Sequence, residues 1–236
     1  CFTKLLFHYR LKTMKFSKRQ FKKSLDNNNL IISLIGMSNM GKTHWSKQFA
    51  DINFKHISCD DQIEAKLGPE LKALGYAGIT DVSRWMGQPY EERFSANQQK
   101  YLEFEKEVMR EIFEELKNEN TSNVVIDTTG SIVHTGSDIC AKLQENALMI
   151  YIEATDEMKE EMFQRYIKEP KPVVFGDVFA PKAGEEDQQT LKRCYPRLLD
   201  LRSALYAKYA DIVIPRETLD KDMNIHQLMA LIQKSL

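Results

Sequence analysis

Residues 36–43 read Gly-Met-Ser-Asn-Met-Gly-Lys-Thr, a glycine loop that fits the pattern G-x-x-x-x-G-K-T. The apolar run at 30–35 precedes this loop, and Trp45 and Phe49 after it are spaced for one face of a helix. A glycine loop between a strand and a helix directs backbone amides and the helix N-terminus toward a polyphosphate. The sequence therefore predicts a loop that binds the phosphates of ATP.

The side chains of this loop suit phosphoryl transfer. Lys42 can reach the β- and γ-phosphates, and Thr43 can ligate Mg²⁺. The two glycines allow backbone conformations and a close approach that a Cβ would block. We therefore expect ATP and Mg²⁺ as cofactors. The predicted cofactor-binding residues of the loop are Gly36, Ser38, Asn39, Met40, Gly41, Lys42 and Thr43.

Two aspartates at predicted strand ends could act beside the loop. Asp127 closes the apolar run 123–126, where an acid that holds Mg²⁺ directly or through water would sit; a turn acid or helix cap is the alternative. Asp60 follows the strand signal at 54–58, and it could orient an attacking hydroxyl or accept its proton. The predicted catalytic residues are Lys42, Asp60 and Asp127, and the predicted metal ligands are Thr43 and Asp127.

The elements that must position these residues alternate along the chain. Amphipathic helices separate the predicted strands and follow the last one, which is typical of a doubly wound parallel sheet. Ligands of such sheets lie at the carboxyl ends of the strands. We predict a three-layer α/β/α P-loop NTPase fold with a five-stranded parallel sheet and a lid insertion. The five predicted strands are 30–35, 54–58, 123–127, 147–152 and 210–214.

Three further segments complete the expected organisation. The helix predicted at 95–117 carries an apolar stripe, and its Glu and Lys residues are interpreted as solvated surface. The segment 171–189 contains Pro, Gly and acidic residues with little periodicity, and a loop of this length is usually functional or disordered. Residues 1–29 are expected to be a disordered basic extension preceding a kinase domain at 30–236; an organellar targeting segment or a phosphate-binding tail are the alternatives.

Composition narrows the class of protein. The chain has 236 residues and a net charge of −1, so no global field favours nucleic acid or an anionic membrane. The four cysteines lack metal-site spacing and fit a reducing, cytoplasmic setting. We expect a cytoplasmic monomer with a small-molecule hydroxyl acceptor and with neither nucleic acid nor membrane as a partner. The absence of N-K-x-D and L-S-G-G-Q stretches argues against a GTPase and a transport ATPase.

The chain resembles the shikimate kinase family of P-loop small-molecule kinases, as a divergent member. The matching residues are the loop at 36–43, Asp-Asp-Gln-Ile-Glu at 60–64, Val-Ile-Asp-Thr-Thr-Gly-Ser at 125–131, and Leu-Arg-Ser-Ala-Leu-Tyr at 201–206, followed by Ala-Asp at 210–211. Their order and spacing cover most of residues 30–236.

The resemblance implies roles for the acceptor side of the site. Asp60 would hold the acceptor hydroxyl, Gly130 would lie against the substrate, and Arg202 would hold a substrate carboxylate. Arg93 would be a second carboxylate-binding arginine, although the surrounding family pattern is missing. The implied substrate-binding residues are therefore Asp60, Arg93, Gly130 and Arg202.

The resemblance also implies that Arg165 binds the cofactor near its adenine and that 168–190 form a lid over the phosphates. The chain departs from the family at Ser58, which replaces the first acid after the second strand. It departs again at Thr129 and Ser131, which flank Gly130 where the family has three glycines. These side chains narrow or repolarise the expected pocket.

Three functions are compatible with these residues. The first is an ATP-dependent phosphotransferase that moves the γ-phosphoryl group to a hydroxyl of a small molecule. The second is a kinase of a nucleotide or a nucleic-acid end. The third is a non-catalytic, regulatory ATP-binding protein, which the departures from the family pattern suggest.

Overall fold

The computed structural model describes residues 16–117, 122–169 and 171–236. In these ranges, five strands form one sheet in the order β2-β3-β1-β4-β5, and every neighbouring pair is parallel. This arrangement confirms the predicted three-layer α/β/α fold. The strands are β1 Ile31–Ile35, β2 Lys55–Ser58, β3 Val124–Asp127, β4 Leu148–Glu153 and β5 Ile212–Pro215.

The helices cover both faces of this sheet. Helix α2 contacts β1, β2, β3 and α9, whereas α5 packs between α3 and α6, α6 contacts α8, and α3, α6 and α8 contact the sheet. No helix within the described ranges is long and apolar enough to span a membrane. The helices are α1 Lys18–Asp26, α2 Lys42–Asp51, α3 Cys59–Ala73, α4 Gly78–Met86, α5 Phe94–Glu115, α6 Ser137–Asn146, α7 Asp156–Lys168, α8 Asp187–Tyr209 and α9 Ile225–Ser235.

Strand register brings the polar strand ends together. Asp127 of β3 lies beside Leu34 of β1 on one side and Ser58 of β2 on the other. Helix α3 starts directly after β2, and the Ser58 hydroxyl caps it by accepting a hydrogen bond from the Asp61 amide at 3.3 Å. Asp60 therefore lies in the first turn of a helix, at the same sheet edge as the phosphate loop.

The N-terminal segment contains more structure than its charge suggested. Helix α1 begins with a capping box between Ser17 and Gln20, and Phe21 on its inner face is only 2% exposed. Helix α1 contacts α9. The expectation of a disordered extension is therefore wrong for residues 18–26, while residues 1–15 lie outside the described residues.

The segment between α7 and α8 differs from the expected lid at 168–190. Helix α7 ends at Lys168 and α8 already begins at Asp187, so the connection is shorter than expected. Its middle is anchored, because Val174 and Phe175 are buried. The Phe175 ring packs against aromatic rings of four neighbours, which are Phe94, Tyr166, Phe179 and Tyr195.

Candidate active site

The phosphate loop joins β1 to α2. Gly36 has a φ of +143°, and a Cβ at this position would lie 2.7 Å from the Ile152 carbonyl oxygen. Gly41 has a φ of +93° and precedes the first turn of α2. Both positions require glycine, for close approach to β4 in one case and for the left-handed turn into the helix in the other. The loop therefore has the form of a phosphate cradle.

Lys42 lies inside this loop. Lys42 is only 7% exposed. Its Nζ donates hydrogen bonds to the carbonyl oxygens of Gly36 and Met37, both at 2.9 Å. Burial lowers the pKa of Lys42, and the nearby carboxylates of Asp127 and Asp60 oppose that shift. The loop carbonyls thus hold the amine, and two acids act on it electrostatically.

One cavity of about 450 Å³ lies over the loop. It brings together nine of the predicted site residues and six other residues, among which Thr129 and Ser131 were expected to narrow or repolarise the pocket. The predicted ones are Ser38, Asn39, Gly41, Lys42, Thr43, Asp60, Gly130, Arg165 and Arg202. The additional ones are His44, Tyr101, Thr129, Ser131, Lys171 and Pro172.

Asp60 lines this cavity from the first turn of α3. The Tyr101 hydroxyl donates to Asp60 Oδ1 at 3.4 Å. Burial raises the pKa of Asp60; Asp127 adds to the rise, whereas Lys42 and the Tyr101 hydrogen bond oppose it. A carboxylate with raised proton affinity is suited to accept a proton from a hydroxyl.

Arg202 lines the cavity from α8 and is held from two sides. Its Nε donates to His134 Nε2 at 3.1 Å, and its Nη2 donates to the Val174 carbonyl oxygen at 2.7 Å. Burial and the adjacent guanidinium lower the pKa of His134 to about 3, so the imidazole stays neutral and can accept. The third nitrogen, Nη1, lies near Gly130, and a Cβ added to Gly130 would be 3.7 Å from it.

Gly130 brings its loop against the phosphate loop. A Cβ at Gly130 would lie 3.1 Å from Ser38 Oγ, which is tighter than nearly all such contacts. The Gly130 carbonyl oxygen accepts a hydrogen bond from the Tyr206 hydroxyl of α8. The absence of a side chain here therefore lets the segment around Gly130 approach Ser38 closely.

No protein-family model matches the sequence, and no curated protein is significantly similar to it. Solved structures do match. The shikimate kinase from Acinetobacter baumannii in complex with shikimate is 18% identical, with 89% of this chain and 93% of that chain covered, at a TM-score of 0.53. The shikimate kinase from Bacteroides thetaiotaomicron is 19% identical, with 87% and 97% covered, also at 0.53. The chain has the fold of the shikimate kinases. The fold that the sequence resemblance implied is thus confirmed.

Within this shikimate kinase fold, Asp127 does not line the cavity. It ends β3 as a buried residue, and its Oδ2 lies 3.7 Å from His56 Nε2. No cluster of three or more His, Cys, Asp or Glu residues that could hold a metal occurs in the described part of the chain. Thr43 lines the cavity, and its hydroxyl and the Asp127 carboxylate are oxygen donors of the kind that Mg²⁺ prefers. Their roles as metal ligands stay predictions.

Arg93 lies away from the cavity. It precedes α5, is exposed, and pairs through Nη2 with Glu91 Oε2 at 2.8 Å. The contacts of Arg93 in this structure therefore do not support its implied role in substrate binding. Lys171, which follows α7, supplies a further cation beside the phosphate loop, because its Nζ donates to Asn39 Oδ1 of that loop at 2.8 Å.

Glu105 is the main residue that sequence reasoning missed. It is 0% exposed, and it accepts hydrogen bonds from the hydroxyls of Thr129 and Ser131. Burial raises its pKa to about 7, and these two hydrogen bonds limit the rise. The interpretation of all α5 acids as solvated surface is therefore wrong for Glu105. A signal was present, because Glu105 lies one turn after Tyr101 on the apolar stripe.

Proposed function

We propose that this protein is an ATP-dependent phosphotransferase that moves the γ-phosphoryl group of ATP to a hydroxyl of a small molecule. The observation that carries the proposal is that the phosphate loop, Asp60 and Arg202 line one cavity. Its volume of about 450 Å³ suits a small-molecule site better than a macromolecular groove. The fold shared with shikimate kinases supports the same class of reaction.

The phosphate side of the reaction falls to the loop and its neighbours. The backbone of 36–43 would cradle the phosphates, and Lys42 would balance the charge that develops during transfer. Lys171, which already contacts the loop through Asn39, would add a second cation. Bound Mg²⁺ would be held by Thr43, and by Asp127 through water because Asp127 does not line the cavity, and it would neutralise phosphate charge.

Other residues that line the cavity would bind the acceptor. Asp60 would orient the attacking hydroxyl and accept its proton, for which its raised pKa is suited. Arg202 would bind an anionic group of the acceptor through Nη1, since its other nitrogens are engaged. Gly130 would let the acceptor lie close to the phosphates. Arg165, at the cavity rim, would contact the adenine end of ATP.

The test is ADP release from Mg·ATP with shikimate, gluconate and a mixed pool of hydroxy acids, each against a control without acceptor. We expect one of these acceptors to stimulate ADP release. Lys42→Ala should lower that rate by about 100-fold or more, because one preorganised charge contributes this much to a transition state. Arg93→Ala is the matched control, since this arginine lies outside the cavity, and it should keep wild-type turnover.

Each outcome has a distinct meaning. Unchanged ADP release by Lys42→Ala would remove the loop from the mechanism. Tight Mg·ATP binding with no stimulation by any acceptor would favour the regulatory ATP-binding protein. Stimulation only by a 5′-hydroxyl oligonucleotide, added as a further acceptor, would favour the kinase of nucleic-acid ends.

A further inference from the structure

Glu105, Thr129 and Ser131 form a hydrogen-bonded unit behind one wall of the cavity. Thr129 Oγ1 donates to Glu105 Oε1, and Ser131 Oγ donates to Oε2 at 2.8 Å. The Ser131 amide also donates to Thr129 Oγ1, at 3.0 Å. Thr129 and Ser131 line the cavity, while Glu105 is completely buried behind them.

Counting protons defines what this wall offers to a ligand. A carboxylate has no proton to give, so both hydroxyls must donate to Glu105. The Thr129 oxygen already accepts from the Ser131 amide. Thr129 Oγ1 and Ser131 Oγ also lie 3.1 Å apart, but neither hydroxyl donates to the other while both protons are donated to an ionised Glu105. The Ser131 oxygen then has lone pairs and no free proton, so it can only accept a hydrogen bond from a ligand.

We propose that Glu105 is a positioning residue that makes the cavity wall at Ser131 a hydrogen-bond acceptor, so that the site selects an acceptor molecule carrying a hydroxyl donor there. This hydroxyl is additional to the one held by Asp60, so the preferred substrate is a polyhydroxylated molecule. The inference rests on the proposed function. The inference extends the proposed function by assigning a role in substrate specificity to the two side chains that flank Gly130.

The environment of Glu105 makes the charge on this unit responsive to pH. Its pKa is raised to about 7, chiefly by burial. A protonated Glu105 would donate to one hydroxyl and release that hydroxyl's own proton, so the wall would lose its pure acceptor character. The ionisable groups that act electrostatically with Glu105 are Asp60 and Cys59 of α3, Tyr101 of α5, Cys140 of α6, and Arg202 and Tyr206 of α8.

Glu105→Gln tests the unit without changing its size. The amide donates to one hydroxyl and accepts from the other, so one hydroxyl proton is freed. Ser131→Ala removes the acceptor itself. Glu103→Gln is the matched control, because Glu103 lies on the same helix but is exposed and pairs with Lys106 at 2.7 Å.

The measurement is calorimetric binding in the presence of Mg²⁺ and a non-hydrolysable ATP analogue. The probes are shikimate, gluconate and myo-inositol, each compared with an O-methyl ether that lacks one donor. For at least one probe, we expect Glu105→Gln and Ser131→Ala to weaken binding of the parent compound by about tenfold, the effect of one hydrogen bond. Affinity for the ATP analogue and binding by Glu103→Gln should stay unchanged.

A pH series separates this role from simple support of the fold. Wild-type binding should weaken as the pH falls through about 7, whereas Glu105→Gln should bind at all pH values like the wild type at pH 6. A pH dependence that survives in Glu105→Gln would belong to Asp60 or another group and would contradict the assignment.

The remaining outcomes are decisive in the same way. If no probe binds more tightly than its methyl ether, or if Glu105→Gln and Ser131→Ala bind like the wild type, the inference is overturned. Should Glu105→Gln fail to fold, Ser131→Ala alone decides. Hydroxyl-dependent binding without ADP release would reject the proposed phosphotransferase while leaving the assignment of this wall intact.

Discussion

The hydroxyl of Tyr206 holds the loop that carries Gly130, and Tyr206→Phe isolates its contribution. The ring is fully buried and packs against Tyr151 with centroids 5.2 Å apart, a contact that phenylalanine retains. Only the hydrogen bond to the Gly130 carbonyl is lost. A buried carbonyl left without a partner costs about 1–3 kcal/mol. Because Gly130 lines the cavity and water can reach it, we expect the lower end, about 1 kcal/mol.

Urea unfolding measures this change directly. With a slope of about 2.5 kcal/mol per molar urea, a loss of about 1 kcal/mol lowers the midpoint by about 0.4 M. Tyr209→Phe is the matched control, since it removes a hydroxyl one turn later on the same helix and leaves the donor to Gly130 in place. An unchanged midpoint for Tyr206→Phe, or an equal shift in both variants, would refute the reasoning.

Three further outcomes test the site. Asp60→Asn should lower turnover by about 10²–10⁴-fold, because it removes a proton acceptor. It should not weaken Mg·ATP binding, because the lost charge near Lys42 is negative. An equal loss of nucleotide affinity in a binding titration would make Asp60 a structural or metal residue. Lys171→Ala should raise the KM for ATP. The free energy of unfolding should change little, since the Lys171–Asn39 contact is exposed. Unchanged steady-state kinetics would exclude Lys171 from phosphate binding. Glu105 has a folded-state pKa of about 7, above its unfolded value. The wild type should therefore lose about 3 kcal/mol of stability relative to Glu105→Gln as the pH rises from 4.5 to 7. If denaturant unfolding shows the same stability difference between the two proteins at both pH values, the pKa of Glu105 is not raised by folding.

Features encoded in short stretches of sequence were predicted well. The glycine loop at 36–43 lies between β1 and α2 as its pattern required, and the apolar runs became the parallel strands of the sheet. Each of these signals is complete within about ten residues, because glycine spacing and strand burial depend on local chain geometry. The carboxyl ends of parallel strands then place Asp60 at the phosphate loop without further information.

Features that depend on distant partners were missed. Glu105 is buried because two hydroxyls more than twenty residues later satisfy it, and a helical pattern alone does not show this pairing. Arg93 is a different case, because its partner Glu91 is only two residues away. No pattern in the sequence distinguishes a ligand-binding guanidinium from one that pairs with a neighbouring acid. For α1, the signal Ser17-x-x-Gln20 was present, but the burial of Phe21 requires tertiary packing that includes contact with α9.

The anchored connection between α7 and α8 both contacts Arg202 and lines the cavity. The Val174 carbonyl holds Arg202, and the amides of Phe175 and Gly176 donate to the side chain of Gln98. Lys171 and Pro172 of the same connection line the cavity. A displacement of this connection would therefore change the cavity wall and remove one of the two contacts that hold the Arg202 guanidinium, the other being His134. If Arg202 binds the acceptor as proposed, exchange of the acceptor would depend on how readily Phe175 leaves its aromatic neighbours.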